Sequence, residues 1–302
     1  MKMNKNFRTR FIRYFAVSII FSTPFISAIS FAQDTSKTSI WVTKSETNTV
    51  YLCGSIHLLK ESDFPPHPKM EAAFKKTPNI VFEVVLDSMD SMEMQGLIMQ
   101  NALYPEGQSL KTQISDSLYN IATETAQSLN LDLTRFNGFK PWFVAMTFDL
   151  MKLQQLGFQP NFGIDRYFYD KAKNEGKNIL GLESVRSQIN LLTELDTGDQ
   201  ALFLSQSLEQ LNDIENMINE ILDCWKTGNL PCLETSLNKS FLDYPEMNQK
   251  FLINRNNQWM KKILNFLTRN EDYMIIVGAG HMAGEFGLIK QLEKAGFEVK
   301  QF

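Results

Sequence analysis

Only three histidines occur in the 302 residues, and two of them close the same pattern. Thr49-Val-Tyr-Leu-Cys-Gly54-Ser-Ile-His57 and Tyr273-Met-Ile-Ile-Val-Gly278-Ala-Gly-His281 each run an apolar, strand-like segment into Gly-x-x-His. A glycine ending a buried strand permits a sharp turn or the close approach of a ligand. The histidine three residues on then projects from the carboxyl end of the strand, where open α/β sheets place ligand sites. One such histidine fits a structural role better than a chemical one. Two of three histidines in matching contexts reverse that preference. The third, His67 in Phe-Pro-Pro-His-Pro, lies in a stiff loop and reads as a surface residue.

Two carboxylates point to the same edge. Glu83 is embedded in Val81-Phe82-Glu83-Val84-Val85, where a charge must be paired, metal-bound or protonated. The bland reading is an outward-facing Glu on an alternating strand. Glu183, after Gly181-Leu182, carries the same two readings. Arg255-Asn256 opens the helix before the second Gly-x-x-His strand, with Arg255 on one face with Trp259. A helix-end arginine paired to a nearby acid is the alternative there. The run Gly278-Ala-Gly-His-Met-Ala-Gly284 has G-x-G-x-x-x-G spacing and only one strand after it, so a dinucleotide-binding half cannot be completed. Neither a G-x-S-x-G elbow nor an H-E-x-x-H pair occurs, leaving ordinary serine-hydrolase and helical zinc-protease mechanisms unsupported.

The elements that must position these residues are legible from periodicity. Thr38–Lys44 and Thr49–Gly54 read as a hairpin. Met70, Ala73 and Phe74 stripe a short helix over Pro68–Lys76, and Ile80–Leu86 follows as a buried strand containing Glu83. Strand, helix, strand suggests a crossover in a partly parallel sheet. From about residue 88 to 245 the pattern is helical. It includes a buried helix over Trp142–Leu156 and one long helix through Leu204, Leu208, Leu211, Ile214, Ile218 and Ile221. One strand, Asn178–Gly181, interrupts it. After a helix striped by Met260, Ile263, Leu264 and Leu267 come the strand Tyr273–Val277, a helix with Phe286, Ile289 and Leu292 inward, and the strand Phe297–Phe302. The expected fold is α/β: a mixed, partly parallel sheet built from both ends of the chain, with a large helical insertion.

Residues 1–32 read as a secretory leader. Lys2, Lys5, Arg8, Arg10 and Arg13 precede the apolar stretch Phe15–Phe31, which ends at Ser30-Phe31-Ala32. Pro24 and the shortness of the stretch argue against a membrane anchor. The expectation is a periplasmic or secreted chain with no stable membrane insertion. Losing five positive charges and no acid takes the net charge from −4 to −9, which argues against nucleic-acid binding. In an oxidising compartment Cys224 and Cys232, flanking a turn-like segment, are candidates for a disulfide; the alternative is two free thiols. Cys53 reads as a small buried core residue.

Val50-Tyr-Leu-Cys-Gly-Ser-Ile-His57, Phe82-Glu83, Gly163-Ile-Asp165, Gly176-Lys-Asn-Ile-Leu-Gly-Leu-Glu183 with Gln188, Arg255-Asn256 and Val277-Gly-Ala-Gly-His281 stand in the order expected of the TraB/GumN family. The chain resembles that family from about residue 40 to 302. The family is related to the Tiki metalloproteases and, more distantly, to erythromycin esterases and ChaN haem-binding proteins. The resemblance implies one α/β domain over residues 33–302 with a helical insertion. It also implies a divalent-metal peptidase site. His57 and His281 become ligands, Glu83 a ligand or general base, and Arg255 and Asn256 groups that stabilise an oxyanion or hold substrate, with Glu183 nearby. Imidazole and carboxylate suit Mn²⁺, Co²⁺ or Zn²⁺, and the substrate would be a peptide or protein. Two other readings stay open: a binding protein of the same fold for a peptide, haem or pheromone-like ligand, and a metal-independent, esterase-like hydrolase.

Overall fold

The computed structural model describes residues 37–238 and 245–302; the leader segment 1–32 lies outside the described residues. β1 (Ile40–Lys44) and β2 (Thr49–Ser55) form an antiparallel hairpin, with Ile40 opposite Cys53. Its turn is tied down by Asn48, whose side-chain amide donates to the carbonyls of Phe266 and Glu271 at 2.8 Å. β3 (Asn79–Phe82), β4 (Asn178–Gly181), β5 (Tyr273–Gly278) and β6 (Val299–Gln301) complete one sheet of order β4-β3-β5-β2-β1-β6. β4, β3, β5 and β2 run parallel, and β1 and β6 add an antiparallel edge. The fold is therefore mixed α/β, with the sheet drawn from both ends of the chain.

The parallel strands read as apolar runs because both faces are covered. Ile80, Val81, Leu52, Cys53, Met274 and Ile275 are all fully buried. β3 is shorter than the sequence pattern suggested. It ends at Phe82, and Leu86–Met89 is already helical. Beyond Phe82 backbone pairing persists on the β4 side, where the Glu183 N–H donates to the Glu83 carbonyl at 2.8 Å, while on the β5 side the Gly278 N–H donates to the Glu83 carboxylate at 2.8 Å.

A second apolar cluster lies among the helices, where the buried Pro141–Gln155 helix packs along Thr197–Gln210 around Trp142, Phe148, Leu204 and Leu208. The single long helix expected through Leu204 and Ile221 is two, Thr197–Gln210 and Ile214–Thr227. Its apolar stripe serves two cores: Leu204 and Leu208 face the helical cluster, while Ile221, Leu222 and Trp225 face the sheet. A turn at Leu211–Asp213 redirects the chain between them. The second helix is clamped to the sheet by Trp225, whose indole N–H donates to the Gly54 carbonyl at 2.7 Å. Cys224 and Cys232 are joined by a disulfide with Cα atoms 5.5 Å apart. Gly228, at φ +60°, turns so close that a Cβ would lie 2.4 Å from the Thr38 carbonyl oxygen.

Two smaller expectations fail. His67 is buried, because it caps the Pro68–Lys76 helix with Nδ1 accepting from the Lys69 N–H at 3.2 Å. Phe286 is half exposed, because the last helix begins only at Leu288, after the turns at Gly284 and Gly287. Among the described residues no helix is long and apolar enough to cross a membrane.

One buried acid is a stability liability. Asp149 accepts from the Ser207 hydroxyl at 2.7 Å, but burial outweighs that bond and pushes its carboxyl up to about 7. The folded state thus holds the proton more tightly than the unfolded chain, and this group's contribution falls as pH rises from about 4 to 7. Asp149→Asn is expected to remove that slope and to raise stability above pH 7 by on the order of a few kcal/mol. Urea unfolding of both proteins at pH 5 and pH 8 measures it; an equal difference at the two pH values would show that the carboxyl does not titrate there.

Candidate functional site

The four parallel strands end at one edge, and the residues just beyond them carry the site. Ser55 is in register with Gly278, and Phe82 with both Ile276 and Gly181. Glu83 follows β3 directly, Glu183 follows β4 by two residues, His57 follows β2 by two, and His281 follows β5 by three. Gly278 is the point of convergence. A side-chain carbon there would lie 3.3 Å from Glu83 Oε1, 3.7 Å from His57 Nε2 and 3.7 Å from His281 Cδ2.

Arg255 is the hub. Its helix, Asn254–Phe266, packs against this edge, and the side chain is buried. The guanidinium donates through Nε and Nη2 to Glu183 Oε1 at 3.0 and 2.6 Å, and through Nη2 to Glu83 Oε2 at 2.5 Å. Nη1 donates to the Phe251 carbonyl at 3.2 Å and lies 3.1 Å from His281 Nε2. The Trp259 ring covers the cation at 4.6 Å. Gln188 adds a bond from Nε2 to Glu83 Oε2 at 3.0 Å. Burial pushes the Glu83 carboxyl up, yet Arg255 above all, with His281, His57 and the Gly278 N–H, holds it at about 2. Glu83 is a carboxylate at any physiological pH.

The histidines are oriented from behind. His281 Nδ1 is 2.6 Å from Asn256 Oδ1. The Asn256 amide nitrogen donates to the carbonyls of Phe286 and His281 at 2.8 and 3.3 Å, which fixes Oδ1 as the acceptor and the proton of the ring on Nδ1. Burial, then Arg255, pushes His281 down to about 3, so the ring is neutral with its lone pair on Nε2. His57 Nδ1 meets Asp165 Oδ1 at 2.9 Å. Burial lowers its pKa, but the Asp165 carboxylate overrides this and raises it to about 9. Asp165 reaches His57 because Gly163 lets the two segments touch: a Cβ there would lie 2.3 Å from the His57 carbonyl oxygen. The Ile164 N–H also donates to the Ile56 carbonyl at 3.0 Å.

A cleft of about 640 Å³, counting its open mouth, lies over His57, Glu83, Asp165 and Gln188, with a wall that includes Leu58, Leu86, Met89 and Leu150. A family model described as the TraB/PrgY/gumN family matches residues 39–301. The chain belongs to this family. Among curated relatives, it is 22% identical over 242 residues to proteins of Escherichia coli K12 and Shigella flexneri, both described as uncharacterized protein YbaP. The match covers 80% of this chain and 87% of each relative. No solved structure matches it at significance.

All six site residues read from the TraB/PrgY/gumN chain's sequence lie in one connected cluster. Their positions differ in kind. Glu83 and His57 border the cleft, whereas Asn256 is fully buried behind His281 and spends its polar atoms inside the protein. Glu183 serves Arg255. The donor types suit a divalent ion once His57 has given up its proton: two imidazole Nε2 atoms and one carboxylate, each backed by a second partner. Among the described residues no three such side chains are yet gathered tightly enough to grip one; His281 Nε2 and Glu83 Oε1 are 4.0 Å apart. Asp165 and Gln188 belong to the site although sequence reasoning gave them no role. The signal for Asp165 was Gly163, a glycine one residue ahead of a helix whose first turn holds an acid.

The Arg255 hub sets a stability expectation. Arg255→Met leaves two buried carboxylates without their cation and should cost about 3–5 kcal/mol. The loss should shrink as pH falls towards 4, where Glu83 of the variant, no longer held at about 2 by the guanidinium, takes up a proton. Urea titration across pH 4–8 reads both; a pH-independent loss would assign the effect to packing alone.

Proposed function

We propose that this protein is an exported, metal-dependent hydrolase of peptide bonds, with His57, His281 and Glu83 as the ligands of a Mn²⁺, Co²⁺ or Zn²⁺ ion. One observation carries the reading. Each imidazole is backed at Nδ1 by a fixed oxygen, from Asp165 or Asn256, and is left with Nε2 on the side of Gly278 and Glu83 Oε1. That is how protein scaffolds orient ligating histidines. A bound divalent ion would supply Lewis-acid activation of water and of the scissile carbonyl. Glu83, kept ionised by Arg255, would be the carboxylate among the ligands. Arg255, released from His281 Nε2, would face the negative charge that develops on the carbonyl oxygen. The apolar wall of the cleft would exclude bulk water. Export rests on the leader's composition and agrees with a disulfide in the folded chain.

A second reading is favoured by one contact, the 3.1 Å approach of Arg255 Nη1 to His281 Nε2. Left as it stands, that contact suits a metal-independent hydrolase in which the His57–Asp165 pair moves the proton and Arg255 holds the substrate carbonyl.

Residues 33–302, purified and assayed for bound metal, should cleave members of a mixed peptide library. Cleavage should stop with chelator, return with Mn²⁺ or Co²⁺, and fall at least about 100-fold in the His57→Ala, His281→Ala double variant. Cleavage that survives chelation but not the double substitution selects the second reading. Saturable peptide binding without product makes the chain a binding protein. Cleavage untouched by the double variant ends both hydrolytic readings.

A further inference from the structure

Six polar side chains line the cleft: Ser55, His57, Glu83, Asp165, Arg166 and Gln188. Five are committed to one another or to neighbours. His57 meets Asp165, Gln188 donates to Glu83, and Arg166 donates through Nε to Asp170 at 2.9 Å and through Nη1 to Asp90 at 3.1 Å. Ser55 differs. It is 1% exposed, and its hydroxyl has no hydrogen-bond partner among the described residues.

A buried, unpaired hydroxyl is destabilising, and of the buried side-chain hydroxyls without a partner among the described residues, Thr43 and Ser55, only that of Ser55 belongs to a residue lining the cleft. Ser55 closes β2 at the register of Gly278, the residue around which Glu83, His57 and His281 gather. Beside it the cleft wall is apolar, built by Leu58, Leu86, Met89 and Leu150. A group bound in the cleft thus meets an aliphatic wall and, in the same lining as His57, a hydroxyl with no partner of its own.

We propose that Ser55 is a substrate-positioning residue: its hydroxyl donates to a carbonyl oxygen of a bound peptide whose adjoining aliphatic side chain rests on Leu58, Leu86, Met89 and Leu150. This rests on the reading of the cleft as the substrate site and adds the class of side chain it accepts. No covalent role for the hydroxyl is implied, since neither histidine hydrogen-bonds to it.

The test separates positioning from folding and binding from cleavage. Wild type, Ser55→Ala and Ser55→Thr are titrated by calorimetry with acetyl-Gly-Leu-Gly-amide and with acetyl-Gly-Asp-Gly-amide, and melted without ligand. Wild type should bind the leucine peptide and discriminate against the aspartate one. Ser55→Ala should bind the leucine peptide about three- to tenfold more weakly, as expected for one lost hydrogen bond. Its Tm should equal or exceed that of wild type, because an unpaired hydroxyl is gone. Ser55→Thr, which keeps the hydroxyl, should recover part of the affinity. Equal affinity of wild type and Ser55→Ala, no preference for leucine, or a lowered Tm that accounts for the weaker binding would each overturn the proposal. Should wild type bind the peptide and never cleave it, hydrolysis fails while the role of Ser55 stands.

Discussion

The ion cluster of Glu83, Arg255 and Glu183 is the constraint on which the site's geometry depends. A carboxylate immediately beyond a buried strand is costly unless its charge is answered. Here one guanidinium answers two carboxylates and stacks on Trp259 as well. The same guanidinium lies against His281, and Glu83 in turn takes the Gly278 N–H on the β5 side. The cluster therefore positions the helix Asn254–Phe266 over the strand ends and keeps Glu83 ionised. Its worth lies less in net stability than in specifying one arrangement.

Parallel topology supplies the rest. Four strands running the same way must end at the same edge, so residues far apart in sequence arrive together there. The two Gly-x-x-His segments lie in neighbouring strands in register. Glycine at both ends has a concrete reason: a Cβ at Gly54 would press on Ala279 at 3.3 Å, and one at Gly278 would intrude between the histidines and Glu83. Polar partners behind each imidazole then choose its tautomer. Asn256 and Asp165 are chemically different, and the two rings differ accordingly, one neutral and one readily protonated.

Much of this was legible in the sequence, for identifiable reasons. His57 and His281 stood out because apolar strand, glycine and histidine recur at identical spacing, and Glu83 because it interrupts an apolar run. The short helix Pro68–Lys76 and the strand Asn178–Gly181 were fixed by local periodicity and flanking breakers. Where local pattern misled, a tertiary demand had overruled it. The helix through Leu204 and Ile221 breaks because its stripe must serve two cores, and beyond Phe82 the Glu83 side chain takes the Gly278 N–H on the β5 side. His67 is buried by its capping role. Asp165 stood in the Gly163-Ile-Asp165 motif without a role, because its pairing with His57 depends on Gly163 touching His57 across more than a hundred residues, which no window of sequence displays.

A shared metal ion requires His57 and His281 to present Nε2 to it together. Pulsed electron paramagnetic resonance on Mn²⁺-loaded protein reads this directly, through hyperfine coupling to imidazole nitrogen. Two coupled histidine nitrogens are expected in wild type, and one in either single histidine-to-alanine variant. Tightly bound Mn²⁺ with no imidazole coupling, or a coupling unchanged by both substitutions, would contradict it.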